Sequence, residues 1–394
     1  MPDSAARATE ASPVRTAVSL SGDPATAVAE LAAALRHPDL GFVLFFCSAE
    51  YPLEALSRAL GDAFADVPVA GCTTAGEIAP SGYVRGSIVA IGFDRRHFEL
   101  APVLVDDLDA FDLPRAQTLV DDLSARCRGP EPSSQTEGRF VVTLLDGLSS
   151  REESVIATLD AALGSIPSFG GSAGDDNRLA NTHVFCDGRF HTRAAVVLMI
   201  STPLPFEVFS THHLRPRGEK LVVTHVDRDS RRVLELNAAP AAATYAHLIG
   251  APVARLGPEL FARHPLAVRI GDQHYVRSIQ QANADGSLSF YCAVDHGIVL
   301  TAMSSAPICE DLSQVLEGLE ARQGLPELII GCDCFLRRLE LELLGDAAEA
   351  EARALLSKHR VIGFNTYGEQ YHGMHINQTF TGVAIARARP GGTA

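Results

Sequence analysis

Between Val361 and Ala386 the chain reads VIGFNTYGEQYHGMHINQTFTGVAIA, a stretch that concentrates residue types able to bind and orient a solute. Two histidines (His372, His375), a carboxylate (Glu369), two carboxamides (Asn377, Gln378) and two glycines (Gly363, Gly368) lie between two apolar runs of strand character. A loop this dense in hydrogen-bonding groups, held between buried strands, is expected to be a site rather than a connection. His372-x-x-His375 offers two imidazoles in a Gly-bearing loop with no third ligand, a weak pattern for zinc.

The elements that position this loop recur. GFVLFFCS (Gly41–Ser48), LEALSRALGDAFA and VPVAGCTTAGEI read as strand, helix, strand and Gly turn. RFVVTLLDG, REESVIATLDAALG and IPSFGGSAGDD repeat the order. ELIIGCDC, a helical stretch through Lys358, and HRVIGFNTYGEQ repeat it again. A strand, helix and parallel strand of this length form a right-handed crossover unit. The expected fold class is therefore α/β, with two related domains whose mixed sheets are covered by helices. Each Gly turn stands at a strand end, where open α/β sheets place ligands.

The first and third turns match as G-x-x-T-x-G-E: Gly71, Thr74, Gly76 and Glu77 against Gly363, Thr366, Gly368 and Glu369. The middle turn, Gly171 to Asp175, is looser. None of the turns has the pattern of a phosphate-binding loop. Glycines at tight turns serve the backbone first, but the repeated Thr and Glu are not required by backbone geometry. The expected pocket lining is Cys72, Thr74, Glu77, Tyr367, Glu369, His372, Asn377 and Gln378.

Two further groups could do chemistry. Cys72 beside Gly71 could act as a thiolate, yet its own unit supplies no His to lower its pKa and its counterpart in the third unit is Phe364, which favours packing. The pair His212-His213 in FSTHHLRPRG is the other. No C-x-x-C-H occurs for covalent haem attachment, and a non-covalent haem asks only for one proximal His beside an apolar cavity.

The 394 residues exceed one ordinary core. The expected division is a tail over 1–16, an N-terminal domain over 17–221, a C-terminal domain over 222–388 and a tail over 389–394. Asp23 and Pro24 mark the start of a helix to Leu35. Short alternating strands between Phe206 and Leu300, one helix from Ala238 to Gly250 and a hairpin turn at Ala284-Asp285-Gly286 give the second half another texture. Cys127 to Gly138 is expected to be an exposed loop. A dispersed formal charge of −15 argues against nucleic acid and anionic membrane surfaces as partners. No apolar run reaches the ~20 residues of a membrane span and the N-terminus lacks signal-peptide character, so a cytoplasmic protein with eight reduced cysteines is expected.

GCTTAGEI, FGGSAGDD and GFNTYGEQYHGMHINQTFTGVAIA together resemble the FIST sensory domains of prokaryotic signal transduction, N-terminal and C-terminal parts in tandem. CDCFLRRLE, RSIQQANADGSLSFYCAVDHG, FSTHHLRPRG and LVVTHVDRDSRRVLELN are most similar to the NosP-type members. The resemblance implies a non-enzymatic receptor that binds haem b non-covalently, detects nitric oxide at the iron and modulates a partner histidine kinase. That kinase acts in a phosphorelay affecting cyclic-di-GMP and biofilm. A homodimer is compatible with it, and metal is expected only as haem iron. The proximal ligand is sought in the order His213, His212, His375, because His375 also occurs in FIST domains not linked to haem. The competing expectation is a haem-free module binding a small amino-acid-like solute through Glu77, Glu369, Asn377 and Gln378.

Overall fold

The structure is a computed structural model and describes residues 12–127, 138–176 and 178–387. The expected loop after Cys127 and most of both expected tails lie outside the described residues. Order begins ahead of Ala17, because Val14 is buried and already pairs with Phe93.

Three units with one strand plan build the core. The first contains β1 (Val14–Ser19), α1 (Pro24–Leu35), β2 (Leu40–Ser48), α2 (Leu53–Ala63), β3 (Val69–Thr74), the hairpin β4 (Glu77–Ala79) and β5 (Gly82–Val84), and β6 (Ile88–Asp94). The second contains β7 (Glu99–Val105), α3 (Leu113–Arg126), β8 (Arg139–Leu145), α4 (Glu152–Leu163), β9 (Ser168–Ser172), the hairpin β10 (Val184–Cys186) and β11 (Arg189–His191), and β12 (Ala195–Ser201). The third opens with β13 (Phe206–Thr211) and is interrupted by an inserted lobe. That lobe holds β14 (Leu214–Asp227), β15 (Arg232–Leu236), β16 (Ala239–Pro240), α5 (Ala241–Ile249), α6 (Pro258–Arg263), β17 (Leu266–Ile270), β18 (Gln273–Arg277), β19 (Ile279–Ala282), β20 (Leu288–Phe290) and β21 (Val299–Ser305). The unit resumes with α7 (Ile308–Gln323), β22 (Pro326–Cys334), α8 (Phe335–Leu344), α9 (Asp346–Lys358), β23 (Val361–Thr366), the hairpin β24 (Glu369–Tyr371) and β25 (Met374–Ile376), and β26 (Phe380–Ala386).

The α/β reading holds. Asp23 caps α1 by accepting the Thr26 N–H at 2.8 Å, as its position before Pro24 implies. The crossover pairs β2/β3, β8/β9 and β22/β23 are all parallel. The three core sheets also share one order: β1-β6-β2-β3, β7-β12-β8-β9 and β13-β26-β22-β23, each extended by a hairpin taken from another unit. The second unit's β10 adds to β3, the third unit's β24 adds to β9, and the first unit's β4 adds to β23. The exchange is cyclic and closed, so each unit completes a neighbour's sheet. The expected boundary at 221/222 falls within β14.

Burial follows from this layout. One face of each of the three core sheets turns inward to a shared core that includes Phe46, Cys72, Leu144, Cys332 and Phe364, and the Phe46 and Phe364 rings stack at 4.5 Å. The outer faces are covered by α1 and α2, by α3 and α4, and by α7 with Leu356 of α9. The lobe has its own core around Tyr245, Phe261 and Phe290.

Candidate functional site

The matching turns prove to be closures of the repeat. Thr74 Oγ1 donates to the Glu77 carboxylate at 2.5 Å, and Ser87, immediately before β6, donates to the other oxygen. In the third unit Thr366 donates to Glu369, and Thr379, immediately before β26, donates to it through N–H at 3.0 Å and Oγ1 at 2.8 Å. One carboxyl thus ties the end of the parallel strand to the start of the return strand, across the hairpin given away. Both side chains are buried, which pushes Glu77 up to about 7 and Glu369 up to about 8 against the lowering effect of these hydrogen bonds. In the middle unit Asp175 takes the Glu position and instead accepts the N–H groups of Leu179, Ala180 and Asn181 and the Tyr367 hydroxyl. Glycine is needed beside Glu369, since a Cβ on Gly368 would lie 1.9 Å from His375 Nε2.

The remaining residues of the C-terminal loop divide by role. His375 is buried, its Nδ1 is 3.1 Å from Glu153 Oε1, and its Nε2 has no protein partner. Asn377 Oδ1 accepts the Ser278 N–H at 3.2 Å, and Gln378 Nε2 donates to the Ala262 carbonyl at 2.9 Å, so both carboxamides fasten the lobe to the core. His372 is exposed at the tip of the β24–β25 hairpin, its ring against Tyr371. Tyr367 is buried between the rings of Tyr291 and Phe335. Cys72 lies in the shared core, where burial pushes its thiol well up, a poor setting for a thiolate.

His212 and His213 stand where the chain passes from β13 into the lobe, and the structure separates them. His213 is fully buried with both ring nitrogens engaged. A guanidinium can only donate, so Arg337 at 2.6 Å makes Nδ1 the acceptor and Nε2 donates to Glu340 Oε2 at 2.9 Å. Arg337 also pairs with Asp333 at 2.7 Å, and Asp333 accepts the Tyr83 hydroxyl. A ring so occupied presents no free nitrogen to a metal in this structure. His212 presents one. Its Nδ1 accepts the Leu214 N–H at 3.3 Å, which leaves Nε2 open, and burial together with Arg337, His213 and Arg215 lowers its pKa toward the neutral, metal-ligating form.

His212 opens onto a cleft of about 370 Å³ between core and lobe. Ser210 to His212 form one wall, Gln273 to Val276 of β18 another, and Tyr371, Met374 and Ile376 of the exchanged hairpin the third. Its volume lies in the range of small-molecule and cofactor sites. Imidazole, thioether and phenol groups from His212, His274, Met374, Tyr275 and Tyr371 beside Val276 and Ile376 are a donor set that haem iron accepts. Of the residues expected to line a pocket, none but His212 reaches this cleft. His274 and Met374 went unnoticed because isolated residues in short strands carry no spacing signal. Among the described residues one other donor trio, His37, Asp39 and Asp94, lies within metal-ligating reach, and Arg96 already pairs with both carboxylates. No helix among the described residues is long and apolar enough to cross a membrane.

No curated protein matches the chain closely enough to count as a relative. Two family models do match: the FIST N domain over residues 41–239 and the FIST C domain over residues 241–372. The first runs from β2 through the second unit and β13 into the opening of the lobe, and the second runs through the rest of the lobe and the resumed third unit as far as the turn after β24. With both models matched in tandem over most of its length, the chain belongs to the FIST family of sensory signal-transduction domains.

Proposed function

We propose that this chain is a haem-based nitric oxide receptor, not an enzyme, and that it modulates a partner histidine kinase. The observation that supports the reading is the cleft at the junction of core and lobe, where the half-buried His212 presents an open Nε2 among apolar and donor side chains. Bound haem b would supply an iron that His212 would hold and that nitric oxide would bind. The residues of the chain hold and orient it: the Leu214 N–H fixes the His212 tautomer, and Val276 and Ile376 exclude water. Any ligand that prefers one width of the cleft shifts the relation of lobe to core, which is the form a sensory output takes.

Haemin titration of the full chain, followed at the Soret band before and after nitric oxide, tests this. A saturable one-to-one band that His212→Ala weakens by about tenfold or more is expected, the loss corresponding to ~1.4 kcal/mol. An absent band, or one that His212→Ala leaves unchanged, would overturn the reading.

A second reading, a small-solute module without haem, draws on the repeat. The second residue before the return strand has positive φ in all three units: Gly86 at 63°, Arg193 at 50° and Gln378 at 50°. Gln378 is buried in the third unit, whereas the bare Gly86 borders a crevice of about 250 Å³ with Ser48, Glu50, Thr74, Glu77, Arg85 and Asp176. Its mixed charges suit a small zwitterion, and of the residues expected for this reading only Glu77 lines it.

A further inference from the structure

The chain enters the lobe at Leu214 and leaves it at Ser305, and these two residues are paired partners in β14 and β21. The covalent connection is therefore a two-stranded hinge, and His212 lies two residues before it. Across the lobe from the hinge stands a second attachment. Arg231, in the turn between β14 and β15, is buried against the first turn of α4. Its guanidinium donates to Glu152 Oε2 at 2.6 Å, to Glu153 Oε2 and to the Tyr291 carbonyl at 2.8 Å. The other oxygen of Glu153 accepts the Ala293 N–H at 2.6 Å and faces His375 Nδ1. One carboxylate thereby joins the lobe at two points to α4 and to the hairpin that forms a wall of the cleft.

Two features indicate that this attachment is built to hold a position. Arg231 adopts φ 53°, a left-handed conformation that is costly for a long side chain and persists only where its surroundings enforce it. Burial alone would favour the neutral form of Glu153, yet its contact with His375 and the Arg231 guanidinium hold its carboxyl well below the usual range. Removing both carboxylates leaves the buried Arg231 guanidinium with the Tyr291 carbonyl alone, a costly arrangement for a charge out of water. The same hairpin is touched from the lobe by Arg277, whose guanidinium donates to the His375 carbonyl at 3.3 Å. These contacts, together with the Asn377 and Gln378 bonds, hold the lobe beside the exchanged hairpin.

We propose that residues 214–305 form a hinged lobe whose closure over the cleft is held by an electrostatic latch of Arg231, Glu152, Glu153 and His375. Opening the latch widens the cleft about the His212 hinge, so cleft occupancy and latch closure are coupled. The latch is independent of which ligand the cleft takes. Only the coupling rests on the cleft reading above.

Amide hydrogen exchange on the ligand-free full chain tests the latch without reference to haem. In Glu152→Gln/Glu153→Gln, exchange is expected to rise by about tenfold or more in the 228–232 turn, in 291–293 and in β18, while β2 and β6 keep their protection. Arg231→Lys retains the charge but not the forked reach, and gives a smaller rise in the same segments, which keeps the test usable if the double variant folds poorly. Unchanged exchange in those segments, or a rise that extends equally through β2 and β6, overturns the latch. Haemin affinity measured in the same variants then tests the coupling: a change of severalfold is expected, and identical affinity in wild type and variant overturns it even if the latch stands.

Discussion

Glu77 and Glu369 are carboxyl groups whose ordinary chemistry is inverted by where they sit. Each is buried against two hydroxyls, Thr74 and Ser87 for Glu77 and Thr366 and Thr379 for Glu369, and held up, to about 7 and about 8. A carboxyl whose folded pKa lies above its unfolded value binds its proton more tightly when folded. Its contribution is complete below the unfolded value of 4.5 and is lost as pH rises through 7 to 8. Denaturant unfolding at a series of pH values should show stability falling over that window by an amount of the order of a few kcal/mol, and Glu369→Gln should flatten the fall. The Thr and Glu of these turns were legible in the sequence because their spacing repeats. Their partners Ser87 and Thr379 were not, since a single hydroxyl before an apolar strand has many ordinary uses. The His213 network was half legible: Asp333 and Arg337 stand one helical turn apart, but Glu340 and Tyr83 meet them only through the fold.

The strand, helix and strand elements followed from periodicity, and all three crossover units are where the apolar runs placed them. The exchanged hairpins did not follow. Each of their strands has three residues, too short to show a period of two, and their sheet partners are distant in sequence, as with β4 on β23. Exchange makes the three units one cooperative body around the shared core. Phe364, stacked on Phe46 from another unit, should report this: Phe364→Ala is expected to cost ~3–5 kcal/mol and to move a single unfolding transition to lower denaturant. Two separate transitions would show that the units unfold independently.

At the scale of the whole molecule, an unequal repeat produces the site. A lobe inserted between β13 and α7 breaks the threefold pattern, and a cleft of about 370 Å³ forms where the lobe meets the core. The sequence signalled a change of texture from Phe206 to Leu300 but not that it is an insertion, because return of the chain to the same sheet is a long-range fact. The C-terminal loop, richest in candidate groups, mainly closes a repeat and fastens the lobe through Asn377, Gln378 and His375. The central claim is that the cleft between lobe and core is the sensory site. Hydroxyl-radical footprinting of the full chain with and without haemin tests it most directly, since Tyr275, Tyr371 and Met374 line the cleft and are readily oxidised. Haemin is expected to protect these three side chains severalfold. Unchanged oxidation of all three in a chain saturated with haemin would contradict it.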